Sequence, residues 1–340
     1  MTNTPPYQVT PAILSLVEQI GESLGRIQMS DPMAGKPHLH RINRLKTIQA
    51  SLEIEGNSLS LDQVTAVLEG KRVLAQPREL QEVRNAFATY EAMSQWAPQR
   101  EADLLAAHAL LMAGLVDELG QYRSGGVGVH GAEGLIHVAP PASRVPALMS
   151  SLLQWLDATD EHPLVASAVF HYEFEFIHPF QDGNGRMGRL WQTLILSRWR
   201  PLFSTLPVES LIRDRRGDYY AALNACNRAG ESTAFVELML AMIDEAMQVA
   251  TKTEQENEQV TEQVKQLILA LQTDRCSARE LMARLGLNHR PNFFYHYLRP
   301  ALELGWVEMT RPETPRARNQ QYRLTRLGAQ WRLRLTEGQS

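Results

Sequence analysis

The chain has 340 residues, 34 Lys or Arg against 38 Asp or Glu, a formal net charge of −4 and 44% hydrophobic residues. That length accommodates two or three structural units, and the composition excludes collagenous, disordered and disulfide-stapled classes. Cys226 and Cys276 have no metal-ligand spacing, no apolar run is long enough to span a bilayer, and Met1–Pro6 lacks a basic-then-apolar leader, so a cytoplasmic protein with no membrane partner is expected.

In chain order, Ile42, Leu45, Ile48 and Leu52 recur at near-helical spacing and Gly56-Asn57 reads as a stop, which predicts a helix over about 41–56. Ser51 and Glu55 lie four apart and share one face of it. Ser60 and Gln63 have capping-box spacing ahead of Val64–Glu69, with Gly70 as the stop. Pro77 opens a further helix through Leu80, Val83, Phe87 and Tyr90. Glycines around the short β-branched runs Val127–Val129 and Leu135-Ile136-His137-Val138 predict a hairpin with one free edge.

The run His178-Pro179-Phe180-Gln181-Asp182-Gly183-Asn184-Gly185-Arg186-Met187-Gly188-Arg189 then gathers a proton acceptor, a carboxylate, a Gly-Asn-Gly turn and two arginines within twelve positions. The glycines let successive N–H groups converge on one anion. The apolar sequence after Arg186 suits a buried helix, so the turn falls at a helix N-terminus, where free N–H groups and the macrodipole favour phosphate. Arg186 and Arg189, three apart, reach the same end of a polyphosphate. Together these residues predict a nucleotide-using transferase. His171 and Glu175 could line one face with His178 as a metal site, but Pro179 ends the helix there and no H-E-x-x-H pattern exists. Packing or orienting roles are the expectation for both.

The run resembles the HPFxDGNGRxxR signature of Fic-domain proteins (Fic/DOC family) at every fixed position, and Phe170–Ile177 is similar to the helix that leads into it. The resemblance implies a mainly α fold, a Fic-type helical core with a small β-hairpin flap, and transfer of AMP from ATP to a protein hydroxyl. It implies His178 as base, Asp182 as the Mg²⁺ ligand, Gly183, Asn184 and Gly185 as the anion hole, and Arg186 and Arg189 on the β- and γ-phosphates. Such chemistry needs positioning and charge neutralisation more than covalent help.

Three further segments are similar to parts of the same family. Ser51, Glu55 and Gly56 match its (S/T)xxxE(G/N) inhibitory helix, in which the glutamate pairs with the second arginine, here Arg189, and misplaces the γ-phosphate. Leu135, Ile136, His137 and Val138 match the flap that holds a target segment by main-chain pairing. Tyr219 and Asn227, in Asp218–Asn227, match the helix that borders the adenine.

Beyond residue 246, Thr251–Gln259 is polar and acidic without a sharp breaker, which predicts a helical connector over 247–262. Residues 263–340 then hold 13 Lys or Arg against 6 Asp or Glu. Their pattern of helix, turn, helix and two strands resembles a winged helix-turn-helix, used either for DNA, with Arg290, Asn292, His296, Arg311, Arg316 and Arg318 as candidate contacts, or for dimerisation or the choice of target protein. The expected organisation is an N-terminal region 1–80 with the inhibitory helix, a catalytic core 81–246, the connector, and a C-terminal module 263–340. The expected activity is protein adenylylation of a Ser, Thr or Tyr on a target or on the chain itself, with ATP and Mg²⁺ and in a homo-oligomer. The alternatives are transfer of another group by the same scaffold, removal of AMP with Glu55 positioning a water, and a DNA-binding regulator whose core senses nucleotide.

Overall fold

The computed structural model describes residues 4–30, 37–126, 128–131, 134–271, 275–303, 305–314, 317, 319–326, 328–329 and 332, with the backbone alone described at 27–30, 37–40, 128–131, 134–138 and 251–261. The chain forms two compact units, residues 1–250 and 251–340.

The first unit is built from helices α1 (Pro11–Ser30), α2 (Pro37–Ile54), α3 (Leu61–Leu68), α4 (Pro77–Ala92) and α5 (Glu101–Leu111). After the strands β1 (Gly128–Gly131) and β2 (Gly134–Val138) come α6 (Val145–Ala158), α7 (Pro163–Ile177), α8 (Asn184–Trp199), α9 (Val208–Asp214), α10 (Arg216–Ala229) and α11, which starts at Thr233 and runs to Leu271. Local chemistry accounts for several of these boundaries. Ser60 accepts from Gln63 N while Gln63 accepts from Ser60 N, so both free donors at the start of α3 are satisfied. Pro77 occupies the first turn of α4, where its missing N–H costs nothing. After α2 the chain turns through Gly56 at φ 95°, and Asn57 N bonds back to Leu52 O.

The core is organised around α7 and α8. Apolar residues surround α7 on all sides and Leu164–Phe170, Tyr172, Phe174 and Ile177 are buried, as are Met187, Leu190, Trp191 and Leu194 of α8. A helix apolar all round belongs at the centre of a bundle. Gly188 allows the close approach of the pair: a Cβ there would meet His171 Cδ2 at 2.8 Å and Glu175 Oε1 at 2.9 Å. α2 packs against α3, α4, α8 and α9, which brings Ser51 and Glu55 to the N-terminal half of α8. β1 and β2 pair antiparallel with an irregularity between Val129 and His130, and among the described residues each pairs only with the other. The predicted docking residues Leu135, Ile136, His137 and Val138 form the backbone of β2; their side chains lie outside the described residues.

The second unit holds α12 (Ala278–Arg284), α13 (Arg290–Phe293), a π-helical turn over Phe294–Leu298, α14 (Arg299–Glu303) and the strands β3 (Cys276–Ser277), β4 (Val307–Met309) and β5 (Gln321–Leu324). The sheet order is β3-β5-β4, all antiparallel. Its core contains Val264, Leu267, Ile268, Leu281, Phe293, Leu298, Val307 and Tyr322. Arg290, Asn292 and His296 are exposed; Arg316 and Arg318 fall outside the described residues.

Candidate active site

The loop between α7 and α8 carries the predicted chemistry. His178 ends α7 in the left-handed region (φ 50°, ψ 62°), the one non-glycine among the described residues at positive φ. That conformation costs an ordinary side chain roughly 1–2 kcal/mol, so the surroundings must impose it. Arg123 is buried and does so: its Nε donates to His178 O at 2.7 Å and its Nη2 to Ile177 O at 3.3 Å, while its own N–H bonds to Pro179 O at 2.9 Å. The next residues are closed by Asn184, whose Oδ1 accepts from Phe180 N and whose Nδ2 donates to Phe180 O, both at 2.9 Å. His108 of α5 stacks on the Phe180 ring with centroids 3.7 Å apart. Its Nδ1 accepts from Gly120 N, which leaves the Nε2 proton to donate to Asp182 O at 3.1 Å.

Gly183 (φ 86°) precedes the first turn of α8, and the first helical bond there runs from Met187 N to Gly183 O. The N–H groups of Asn184, Gly185 and Arg186 therefore point out of the helix end. Two arginines flank that end, Arg186 6% and Arg189 1% exposed at the side chain. Arg186 pairs with Asp182 Oδ1 at 3.2 Å and Glu82 Oε1 at 3.6 Å; Arg78 of α4 holds Asp182 Oδ2 at 3.0 Å. Arg189 donates from Nε to Ser51 Oγ at 3.1 Å, and from Nη2 to Ser51 O at 3.1 Å and Glu55 Oε1 at 2.7 Å. A methyl on Gly185 would collide with Glu55 Oε1, so the glutamate lies directly against the helix N-terminus. Glu53, two residues before Glu55 and on another side of the segment, turns instead toward Arg213 at 3.3 Å.

Behind the loop lies a buried polar chain. His171 Nδ1 donates to Gln192 Oε1 at 2.7 Å, and its Nε2 accepts from Tyr219 OH at 3.1 Å. Burial pulls the imidazole down to about 3, so it is neutral. Glu175 faces His171 Nε2 and His178 Nδ1, both at 3.9 Å. Burial pushes its carboxyl up to about 8; the Arg189 cation opposes the shift and the Glu55 anion adds to it. Glu209, deep in the core, accepts from Tyr90 OH at 3.3 Å and Thr193 Oγ1 at 3.2 Å, and burial pushes it up to about 6. Among the described residues no cluster of three or more His, Cys, Asp or Glu could hold a metal.

His178, Asp182, Gly183, Asn184, Gly185, Arg186 and Arg189 thus converge on one helix end, with Ser51 and Glu55 brought to it from α2. Tyr219 is 1% exposed and offers no ring face to a ligand; its half-buried neighbour Tyr220 sits under Arg216 at 5.7 Å. Asn227 Oδ1 accepts from Tyr172 OH at 3.1 Å. Sequence reasoning gave no role to Arg78, Glu82, His108, Arg123 or Glu209. Each is remote in the chain from the motif and surrounded by unremarkable sequence, and only the fold brings it near.

The Fic/DOC family matches residues 98–196, and the C-terminal domain of "Filamentation induced by cAMP protein Fic-like" matches residues 262–325. A crystal structure of a Fic family protein from Desulfovibrio desulfuricans G20 is 58% identical, covers 95% of this chain and 99% of its own, and superposes with a TM-score of 0.74. Curated relatives named protein adenylyltransferase Fic include those of Culex quinquefasciatus, 30% identical over 61% of this chain and 41% of the relative, and Nematostella vectensis, 31% identical over 56% and 45%. The chain spans under half the length of those relatives.

Proposed function

Because the chain belongs to the Fic family, we propose that it is a protein adenylyltransferase that moves AMP from ATP to a Ser, Thr or Tyr hydroxyl of a protein, its own chain included. The observation that carries this reading is the meeting of His178, Asp182, three outward N–H groups and two buried arginines at the start of α8. His178 takes the hydroxyl proton as that oxygen bonds to the α-phosphorus. The bond from the α-phosphorus to the bridging oxygen breaks and diphosphate leaves with the electron pair. A base at this position contributes typically ~10²–10⁴-fold. The N–H groups of Asn184, Gly185 and Arg186 and the guanidinium of Arg189 neutralise the polyphosphate charge.

A divalent ion fits this site as a partner of the substrate. Asp182 is 42% exposed and presents one carboxylate, which suits Mg²⁺ shared with phosphate oxygens rather than an all-protein cage. In that role Asp182 would hold the ion, which would add charge neutralisation on the phosphates, and Arg78 would be released from its carboxylate partner. The free edge of the β1–β2 hairpin supports main-chain docking of a target segment. Asn227, on α10, is the residue of that helix proposed to meet the base, since Tyr219 is buried.

The same geometry supports an internal brake. The Glu55 carboxylate pairs with Arg189 beside Gly185, where a terminal phosphate would need both the cation and the helix end. An occupied Arg189 leaves ATP in a pose unfit for in-line attack. In the second unit, the three-stranded antiparallel sheet and exposed basic residues support a winged-helix module. The direct test is intact-protein mass after incubation with ATP and Mg²⁺. Addition of one AMP by Glu55→Gly, and none by Glu55→Gly/His178→Ala, is the expected result. No AMP on either variant, with ATP still bound, overturns the transferase reading for self-modification.

A further inference from the structure

We propose that Arg123 is a positioning residue that locks the target-holding hairpin to the catalytic histidine. The inference rests on the reading of His178 as base and of β1–β2 as the docking edge. Arg123 is 3% exposed, and its side chain donates to backbone carbonyls of two chain segments. One pair belongs to the roots of the hairpin: Nη1 donates to Gly125 O at 2.8 Å and Nη2 to Pro140 O at 2.6 Å. The other pair belongs to the end of α7: Nε donates to His178 O at 2.7 Å and Nη2 to Ile177 O at 3.3 Å.

One rigid, planar group therefore sets the distance between both strand roots and the backbone of the base. Ile177 is at the end of a helix, where carbonyls lack an intrahelical partner, and His178 is the residue held at positive φ. The clamp satisfies the first and imposes the second. A buried cation is tolerated where its donors are matched, and the four carbonyls accept four of the five guanidinium N–H groups. Lysine, a point donor on a flexible stem, reaches at most part of the set. Arg123 makes no contact with Asp182, Arg186 or Arg189 among the bonds described, so it acts on target and base rather than on nucleotide.

The geometry predicts a division of effects. A misplacement of about 1 Å between attacking oxygen and base costs roughly 100-fold in turnover, while ATP binding depends on the far side of the loop. The test uses the full chain carrying Glu55→Gly, with and without Arg123→Lys. Expected are ATP affinity within about threefold, self-adenylylation slowed by roughly 30- to 100-fold, and faster amide exchange in both 125–140 and 174–183. Unchanged turnover, or deprotection of only one of the two segments, overturns the proposal. Should the Lys variant not fold, exchange on the wild-type chain through a low-denaturant series decides: the clamp requires both segments to open together, and separate openings overturn it. If Glu55→Gly alone adds no AMP, the functional reading has failed, and the exchange result still decides the clamp.

Discussion

Arg189 holds Glu55 at 2.7 Å with its own side chain 1% exposed and that of the glutamate 34% exposed. The two partners are therefore unequal. Two bonds to Ser51 fix the arginine in the core, whereas the glutamate stands one residue past the end of α2 with a third of its side chain exposed. On the proposed reading, release of the brake would move Glu55 and leave the Arg189 cation in place.

Glu55→Gly is accordingly expected to raise self-adenylylation by about 10- to 100-fold. Each ~1.4 kcal/mol of competition is worth tenfold, and a pair this exposed on one side is discounted by solvent. Initial rates by intact mass, wild type against variant, check this. Equal rates would show that the pair does not restrain catalysis.

The motif and its partner helix were legible because short-range physics and a dense pattern coincide in them. Gly183 is required by its φ, Ser60 and Gln63 by the cap, and Ser51 and Glu55 by their common helical face. What escaped is set by tertiary approach. Arg123 binds carbonyls up to 55 residues away, and Arg78 meets Asp182 across 104. Tyr219 illustrates the converse: a tyrosine beside a site reads as a ring for stacking, yet a buried imidazole claims its hydroxyl. The start of α1 carried a signal that went unread, since Thr10 Oγ1 accepts from Ile13 N and Pro11 holds the first helical position, whereas β3, two residues long, had none.

Gly185→Ala tests the geometry of the brake without touching either charge. The added methyl displaces the Glu55 carboxylate, the flexible end of its side chain, and also crowds Arg189 Nη1 at 3.1 Å. The variant should lose the pair yet gain no activity, because the methyl also covers the N–H groups that receive phosphate. In a double-mutant cycle of thermal stability with Glu55→Gly, the two changes should be non-additive by roughly 0.5–3 kcal/mol, as for residues in direct contact. Additive effects would place the glutamate elsewhere in solution.

Asn184→Ala should destabilise the first unit by about 1–3 kcal/mol, since it leaves the buried Phe180 N–H without its acceptor. ATP affinity should fall with stability, because the same clasp shapes the turn whose N–H groups are proposed to receive the phosphates. Asn184→Asp keeps the acceptor but turns a carboxylate oxygen toward Phe180 O, so it should rescue little. Thermal melts and ATP titration of both variants check the pattern; full rescue by Asp would assign Asn184 only one of its two bonds.

For the second unit, Arg290, Asn292 and His296 are exposed beside Phe294 and Tyr295, at 40% and 57% exposure. If this face receives duplex DNA, binding by the full chain must weaken steeply with salt, and Arg290→Ala should lower the slope of log K against log salt by about 0.9. Fluorescence anisotropy at several salt concentrations measures it. A flat response would assign the face to protein contact instead.

The buried carboxyl of Glu175 gives the site a pH signature of known sign. An unfolded glutamate releases its proton near 4.3, whereas burial holds the folded group protonated up to about 8. The stability this group contributes is full below the unfolded value and is lost as pH rises through the folded one. Glu175→Gln removes that dependence. The variant should match wild type near pH 4 and exceed it progressively toward pH 8, by at most about 5 kcal/mol. Glu173 and Glu209, raised by burial to about 7 and about 6, titrate in the same window with the same sign, so the difference between variant and wild type isolates Glu175. Thermal melts at pH 5, 6.5 and 8 measure it. In a Glu55→Gly background the repulsion from Glu55 is gone and the attraction of Arg189 remains, so the crossover should move to lower pH. A difference independent of pH in both backgrounds would mean that Glu175 is ionised throughout and that Arg189, not burial, governs it.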